Sequence, residues 1–600
     1  MFCECLSRLP AELTRWQPCP SIDQRDGWET LPEATRKRVI SGGEHFLEKD
    51  IPFLSASQYL AFTREGNRVI YEKPYFTRRR ILCHLVTAEC CENKGRFVDR
   101  IVDLIWAICE EAAWQVPAHN AYLRDTEQGV LPDRTRPVID LFAAETGALL
   151  AMTYYMMKPR LDEVSPLICQ RIEQEMQQRI FEPYMNCHFW WMGRGDEPMN
   201  NWTPWCTQNV LVAASLMPIG EAAQKAVLRK AACSLDCFVN QYGEDGCCDE
   251  GAQYYGAAAV CLFGALDVMS SVAPEAFESI WQQPKLRAMA DFILKVHVAD
   301  KYYLNFSDCS PVPGRRTGRE FYFAKRMDNQ PLMAFTAQDF LKDPDPDMLD
   351  DIFLSGGINL YYAVLQLFNE HEMHTCSIQP TAAPSFFFPS TQLLIARHGG
   401  YVLGAKAGCN DDSHNHNDTG SVTLYKNDQP FLVDIGVENY TKKTFSPQRY
   451  EIWTMQSGWH NLPRFGEIDQ NAGAEYRATE VSYHIGETES EMTANIAAAY
   501  PSIDGLSYYR RHSLLSENGL LIEDETDYPD TVHLTLMLLY QPSVEGNVIH
   551  VGALGTITCS DCEITTQAVP ITDSRLRAAW PDTLWRVNIA FKGKLHLKVQ

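Results

Sequence analysis

Eight consecutive residues, Asp411, Asp412, Ser413, His414, Asn415, His416, Asn417 and Asp418, form the densest polar cluster in the chain. In a strand, side chains two residues apart face the same side, so His414 and His416 are expected to point into one site. Zinc takes imidazole nitrogens and carboxylate oxygens in a tetrahedral set. Asp434 closes the hairpin that follows, and His460 stands in Gly458-Trp459-His460-Asn461, so His416, Asp434 and His460 make a candidate His/His/Asp set for Zn. Spacing alone leaves other readings open. Two strand histidines are commonly surface or core residues, and a cupin-like catalytic metal centre would also begin with an H-x-H pair.

Three upstream segments carry further chemistry. Asn200 and Asn201 open a helix at Trp202-Thr203-Pro204-Trp205, where Asn is also a favoured N-cap. Asp249-Glu250-Gly251-Ala252-Gln253-Tyr254-Tyr255 joins carboxylates to two phenols; with Asp245, its Asp249 and Glu250 would suit a two-carboxylate hydrolase. The tyrosines, taken alone, also fit core packing. Trp114 to Asn120 brings His119 to what reads as a capped helix end.

The elements that position these residues change character along the chain. Up to about residue 375 the pattern is helical. Ile101, Leu104, Ile105 and Ile108 recur at three-to-four spacing, as do Leu167, Ile168, Ile172, Met176 and Ile180; the stretches 209–217, 223–238 and 257–269 continue it. Many helices without intervening strands imply a helical array or toroid. Residues 377–391 are a Pro-rich, helix-breaking connection. Beyond it, period-two alternation takes over. Ser421 to Tyr425 and Phe431 to Asp434 flank a turn, as do Ser513 to Ser516 and Leu521 to Asp524, and 531–540 and 548–566 read as further strands. The expected organisation is multidomain α+β: an N-terminal (α/α) toroid over 1–376, a linker over 377–391, and a C-terminal antiparallel β-sandwich over 392–600.

The run His414-Asn415-His416-Asn417-Asp418-Thr419-Gly420-Ser421, continuing through Leu424, Phe431-Leu432-Val433-Asp434 and Gly436 to Tyr440, resembles the signature of the heparinase II/III-like polysaccharide lyases. That family reads roughly H-G-H-x-D-x-x-S-x-x-L-x-x-x-G-x-x-L-x-x-D-x-G followed by a Tyr, and Ser457 to Asn461 matches its S-x-x-H-N element. Asn415 replaces the usual Gly, which removes no catalytic side chain. The resemblance runs in detail over about 395–465, and the helical-then-β layout agrees with the family's toroid plus sandwich. It implies β-elimination on a uronic-acid glycan of the glycosaminoglycan type, such as chondroitin, hyaluronan or heparan. It implies catalytic roles for His414, Tyr440, Asn201 as partner of the substrate carboxylate, and Tyr254 through Glu250-Gly251-Ala252-Gln253-Tyr254, which resembles the family's E-G-x-x-Y. Asn200, Trp202, His119 and Tyr255 are expected around the substrate, with Trp202 standing where some relatives carry a His. His416, Asp434 and His460 are implied to bind a structural zinc.

Bulk properties narrow the partners. The 600-residue chain exceeds a single core, and its formal net charge of −24 argues against nucleic acid or an anionic membrane as partner. An acidic polysaccharide then needs local positive charge, which Arg78-Arg79-Arg80 or Arg315, Arg316, Arg319, Lys325 and Arg326 would supply as a cleft wall. No apolar stretch is expected to reach the ~20 residues of a membrane span. Twenty irregularly spaced cysteines read as reduced thiols, and the first residues lack a signal-peptide pattern; both point to the cytoplasm of a bacterium. Self-association into a homo-oligomer stays open. The alternatives are a uronate C5-epimerase, a toroid glycoside hydrolase, a noncatalytic glycan-binding protein and a cupin-like metal enzyme.

Overall fold

The computed structural model describes residues 1–124, 126–195, 197–342, 357–560 and 562–600. It divides into two compact units, each assembled from separated stretches of chain. The first comprises 1–242, 256–287 and 315–380, the second 243–255, 288–314 and 381–600. The expected division at 1–376, 377–391 and 392–600 runs along the chain. The observed one differs in that two short upstream segments, 243–255 and 288–314, belong with the strands.

The first unit is helical. In the helix Val98–Cys109, Ile101, Leu104, Ile105 and Ile108 are all buried, as their spacing predicts. The next predicted stripe holds in part: Pro166–Met176 buries Ile168, Ile172 and Met176, whereas Leu167 is left exposed. Leu141–Val164 begins at Asp140, whose carboxylate accepts from Ala143 N at 2.7 Å. Trp202–Leu216 packs against both Leu141–Val164 and Ala259–Val272, and its side chains from Thr203 to Ala214 are all buried. Such a helix shows little amphipathic pattern because it has no solvent face.

The two basic stretches are structural. Arg79 is buried and pairs with Glu111 at 2.7 Å, and Arg78 reaches the same carboxylate at 3.1 Å. Arg315 pairs with Asp339 at 3.0 Å, Arg326 with Asp267 at 3.2 Å and Lys325 with Glu372, while Arg316 and Arg319 are buried. For Arg78, Arg79, Arg316 and Arg319 the expected cleft wall is overturned, because these guanidinium groups are buried among partners within the protein. The membrane reading also needs correction. Residues 252–272 are long and apolar enough to span a bilayer by composition, but 94% of that window is buried inside the protein. It is core material.

The second unit contains two large antiparallel sheets. One orders Phe386–Phe388, Leu393–His398, Tyr401–Lys406, Val422–Lys426, Gln429–Leu432, Val532–Leu538, Thr583–Phe591 and Glu563–Pro570, with Pro463–Phe465 added beside Val532–Leu538. The other orders Thr479–Ile485, Glu489–Asn495, Tyr509–Ser516, Gly519–Thr526, Lys594–Val599, Gly555–Cys559, Val548–Val551 and Pro542–Glu545. Their alternating apolar residues, among them Leu403, Leu424, Leu534, Leu515, Ile522 and Leu597, form one shared core. Both predicted hairpins are present. The first turns on Asn427 and Asp428, each with positive φ, as a two-residue primed turn requires. The second pairs Ser516 with Gly519.

Candidate active site

The polar cluster is not a strand. It lies between Cys409–Asn410 and Val422–Lys426 in irregular backbone, and His414 itself has a φ of 57°. The two imidazoles therefore converge by another route than strand pleating: both bond to Asp308, from the 288–314 segment. His414 Nδ1 lies 2.8 Å from Asp308 Oδ2, and His416 Nε2 lies 3.0 Å from Oδ1. Arg449 Nη2 donates to Oδ1 at 2.7 Å and Tyr440 Oη donates to Oδ2 at 3.0 Å. Burial alone would push this carboxyl up; the hydrogen bonds from His414 and His416 and the Arg449 charge overcome it and hold it well below the usual range. Asp308 and Arg449 belong to no motif, and sequence reasoning missed both.

Around His414 stand the phenols. The Tyr254 hydroxyl bonds directly to that of Tyr440, and the Tyr254 ring lies 4.7 Å from the His414 ring. Tyr440 Oη is also 3.3 Å from His414 Nδ1, and the Arg575 guanidinium lies 4.7 Å over the Tyr440 ring. Burial raises the Tyr254 phenol above its ordinary value despite the Arg575 charge, so it rests protonated at neutral pH. His414 Nε2 faces Glu250 Oε2 at 3.3 Å. Burial pulls this imidazole down, but the Glu250 and Asp308 charges outweigh burial and hold it above its usual value.

Local backbone explains how Glu250 and Tyr254 arrive there. Gly251 between them has a φ of 82°, and a Cβ at this position would sit 2.6 Å from Cys309 Cβ. Only glycine suits both the left-handed turn and the close approach. Tyr255, expected near the substrate, is instead fully buried, with its hydroxyl donating to Ala290 O at 3.2 Å. It is a packing residue. Asp245, invoked for a hydrolase, accepts from Ser390 N at 2.8 Å and Cys247 N at 3.1 Å, which makes it a turn-fixing group.

The metal set is brought together. Ligand atoms of His416, Asp434 and His460 lie within 4.8 Å of one another, and all three residues are buried. Asp434 Oδ2 accepts from His460 Nδ1 at 2.9 Å, and Asn305 Nδ2 donates to Asp434 Oδ1 at 3.1 Å. His416 Nδ1 and His460 Nε2 have no hydrogen-bond partner among the described residues. Two buried imidazole nitrogens left unsatisfied beside a carboxylate are what a zinc ion would satisfy. Burial holds His416 below its usual value, in the neutral form that ligates. Asn461, next in the motif, fastens the surrounding strands: its amide donates to Val422 O and Val433 O and accepts from Met537 N.

Four expected site residues lie in the helical unit. Asn201 stands at the start of Trp202–Leu216, yet its side chain makes no capping bond; Asn200 does that, accepting from Trp202 N at 3.0 Å. Asn201 is buried. His119 Nδ1 is 2.9 Å from Asp140, and its ring meets Trp202 edge-on at 4.6 Å.

Residues 380–584 match a family model described as Heparinase II/III-like, C-terminal. No curated protein matches the sequence. Among solved structures, heparinase III is similar at a TM-score of 0.65 and 13% identity, covering 100% of this chain and 88% of that one. Heparan sulfate lyase HepC from Pedobacter heparinus gives 0.58 and 12%, covering 100% and 87%. Streptomyces coelicolor A3 chondroitin AC lyase, in complex with chondroitin sulphate, gives 0.52 and 8%, covering 95% and 80%. At these identities the likeness shows the fold, an α/α toroid followed by an antiparallel β-sandwich.

Proposed function

We propose, for a chain whose residues 380–584 match the heparinase II/III-like C-terminal model, that it is a polysaccharide lyase cleaving a uronic-acid glycan of the glycosaminoglycan type by β-elimination. The observation that carries this reading is the junction of Tyr254, Tyr440 and His414 on Asp308. Elimination removes the C5 proton of the uronate, forms the C4=C5 double bond and expels the 4-linked oxygen. It needs a proton acceptor, a proton donor and hydrogen-bond donors for the enediolate. Tyr254, protonated at rest, is the donor to the leaving oxygen. The acceptor is His414 at Nε2 in its neutral form or, for the opposite C5 configuration, Tyr254 itself, which first passes its resting proton through Tyr440 to His414, takes the C5 proton as phenolate and hands that proton to the leaving oxygen; glucuronate and iduronate present C5–H on opposite faces of the ring. Tyr440 and Arg575 stabilise charge on the Tyr254 oxygen. The family resemblance would give Asn201 to the substrate carboxylate, and Asn200, Trp202 and His119 to substrate binding.

A hydrolase is disfavoured because Asp245 is engaged in a turn and Glu250 faces an imidazole. An epimerase would use the same groups and reprotonate C5. A panel of uronic-acid glycans, sulfated and not, followed by ultraviolet absorbance of the unsaturated uronate, tests the assignment. Absorbance should grow with at least one glycan. C5 inversion without a double bond would replace the lyase by the epimerase, and no product from any glycan would sink both.

His416, Asp434 and His460 are assigned to a zinc ion that holds the strands carrying their neighbours together. Asp434 draws His460 up against its burial, so binding at Nε2 should release a proton. Chelation is expected to lower Tm and activity together, with zinc restoring both. Loss of activity at unchanged Tm would show a catalytic metal instead, as a cupin-like site requires. The buried free thiols, among them Cys83, Cys90, Cys206 and Cys261, support a reducing compartment such as the cytoplasm.

A further inference from the structure

Beside the buried phenols and imidazoles stands one large apolar side chain left open to solvent. Phe445 is 49% exposed, yet its ring meets Tyr440 edge-on at 5.0 Å and His414 at 5.7 Å. It closes a 3-10 turn, Lys442–Phe445. In such a turn the side chains at i and i+3 eclipse, which puts Lys442 and Phe445 on one edge. Lys442 is exposed and forms no ion pair among the described residues, whereas Lys443 is paired with Glu451 at 2.8 Å.

The turn is built rigidly. Thr441 and Thr444 close a capping box, with Lys443 N donating to Thr441 Oγ1 and Thr441 N to Thr444 Oγ1 at 3.0 Å. Arg449 then ties the turn to the reacting groups. Its Nη1 donates to Thr444 O at 3.1 Å, and its Nη2 donates both to Asp308 at 2.7 Å and to Asn415 O at 3.0 Å. A single guanidinium therefore fixes Phe445 relative to His414. An exposed aromatic ring held this firmly beside polar chemistry is preorganised for a ligand with one apolar face.

We propose that the Lys442–Phe445 turn is a sugar subsite. Phe445 stacks on the C–H face of the glycan residue adjacent to the reacting uronate, and Lys442 takes an anionic group beside that ring, its O-sulfate or the carboxylate of the next uronate. The assignment rests on the lyase reading of the same site and adds the residues that set affinity.

The test compares wild type with Phe445→Ala, Phe445→Trp and Lys442→Ala. Phe445→Ala should raise KM about tenfold or more, an effect of the size of one lost aromatic stack, with kcat within a few-fold, and Phe445→Trp should restore KM. Lys442→Ala should raise KM and flatten its salt dependence. Doing so on O-sulfated glycans alone assigns Lys442 to sulfate; doing so equally on unsulfated ones assigns it to carboxylate. In parallel, calorimetry measures Kd for saturated oligosaccharides of the same glycans in a Tyr254→Phe background, with and without Phe445→Ala. An active wild type whose KM and Kd ignore Phe445→Ala overturns the subsite alone. A wild type that makes no unsaturated product but binds these oligosaccharides through Phe445 overturns the lyase reading and keeps the subsite.

Discussion

Tyr254→Phe is expected to lower kcat for unsaturated-product formation by roughly 10²–10⁴-fold, the range of a lost general acid or base, while the protein stays folded. The substitution deletes one oxygen. That oxygen bonds to Tyr440 and lies in the group of polar atoms gathered on Asp308. The ring, stacked near His414, is retained. The stability change should be about 1 kcal/mol, the ordinary net worth of one hydrogen bond, so a melting curve separates lost chemistry from lost fold. Substrate binding should persist, because no carboxylate or aromatic platform is removed. A Tyr254→Phe enzyme that turns over within a few-fold of wild type would remove Tyr254 from the proton-transfer role and shift the assignment to Tyr440 or His414.

Asp308→Ala should be the most destabilising single substitution in the site. The carboxylate is buried and serves four donors, from His414, His416, Arg449 and Tyr440. Removing one partner of a buried charge pair costs about 3–5 kcal/mol, because the other charge is left uncompensated. Here the stranded charge is Arg449. Activity should fall as well. Groups that orient a metal-ligating or reacting imidazole are typically worth about 10–100-fold, and Asp308 orients one of each. Denaturant unfolding measures the first effect and initial rates the second. Asp308→Asn is the informative companion: it keeps the shape and loses the charge. If Asp308→Ala unfolds at the wild-type denaturant midpoint, the hub is an ornament of the site and not its support.

The legible part of this protein was what local pattern controls. Ile101, Leu104, Ile105 and Ile108 lie buried on one helix face, and Asn427-Asp428 makes the turn its residue types favour. That His416, Asp434 and His460 come together was legible because a long ordered motif spans them. Asp308 was not, since it sits in a short segment with no periodicity and acts only through partners more than a hundred positions away in sequence. Arg449 was hidden because it lies in no motif and its bond to Asp308 joins segments far apart in sequence. The basic stretches misled because sequence cannot distinguish an arginine in a cleft from one buried on Glu111. His414 and His416 reached one site as expected, but through a left-handed turn and a shared carboxylate instead of strand alternation.

The segments 243–255 and 288–314 belong to the strand-containing unit although the chain reaches it continuously only after residue 380. They bring Glu250, Tyr254 and Asp308, the acidic and phenolic partners that His414 meets from outside the motif. The matched region 380–584 thus holds only part of the proposed site. No single cut yields one helical protein and one working sandwich, so recombination that swaps the two parts at a single junction inherits mismatched halves. A ribosome making this chain has all three of these upstream side chains in place long before His414 exists, and the reactive centre is completed only late in synthesis.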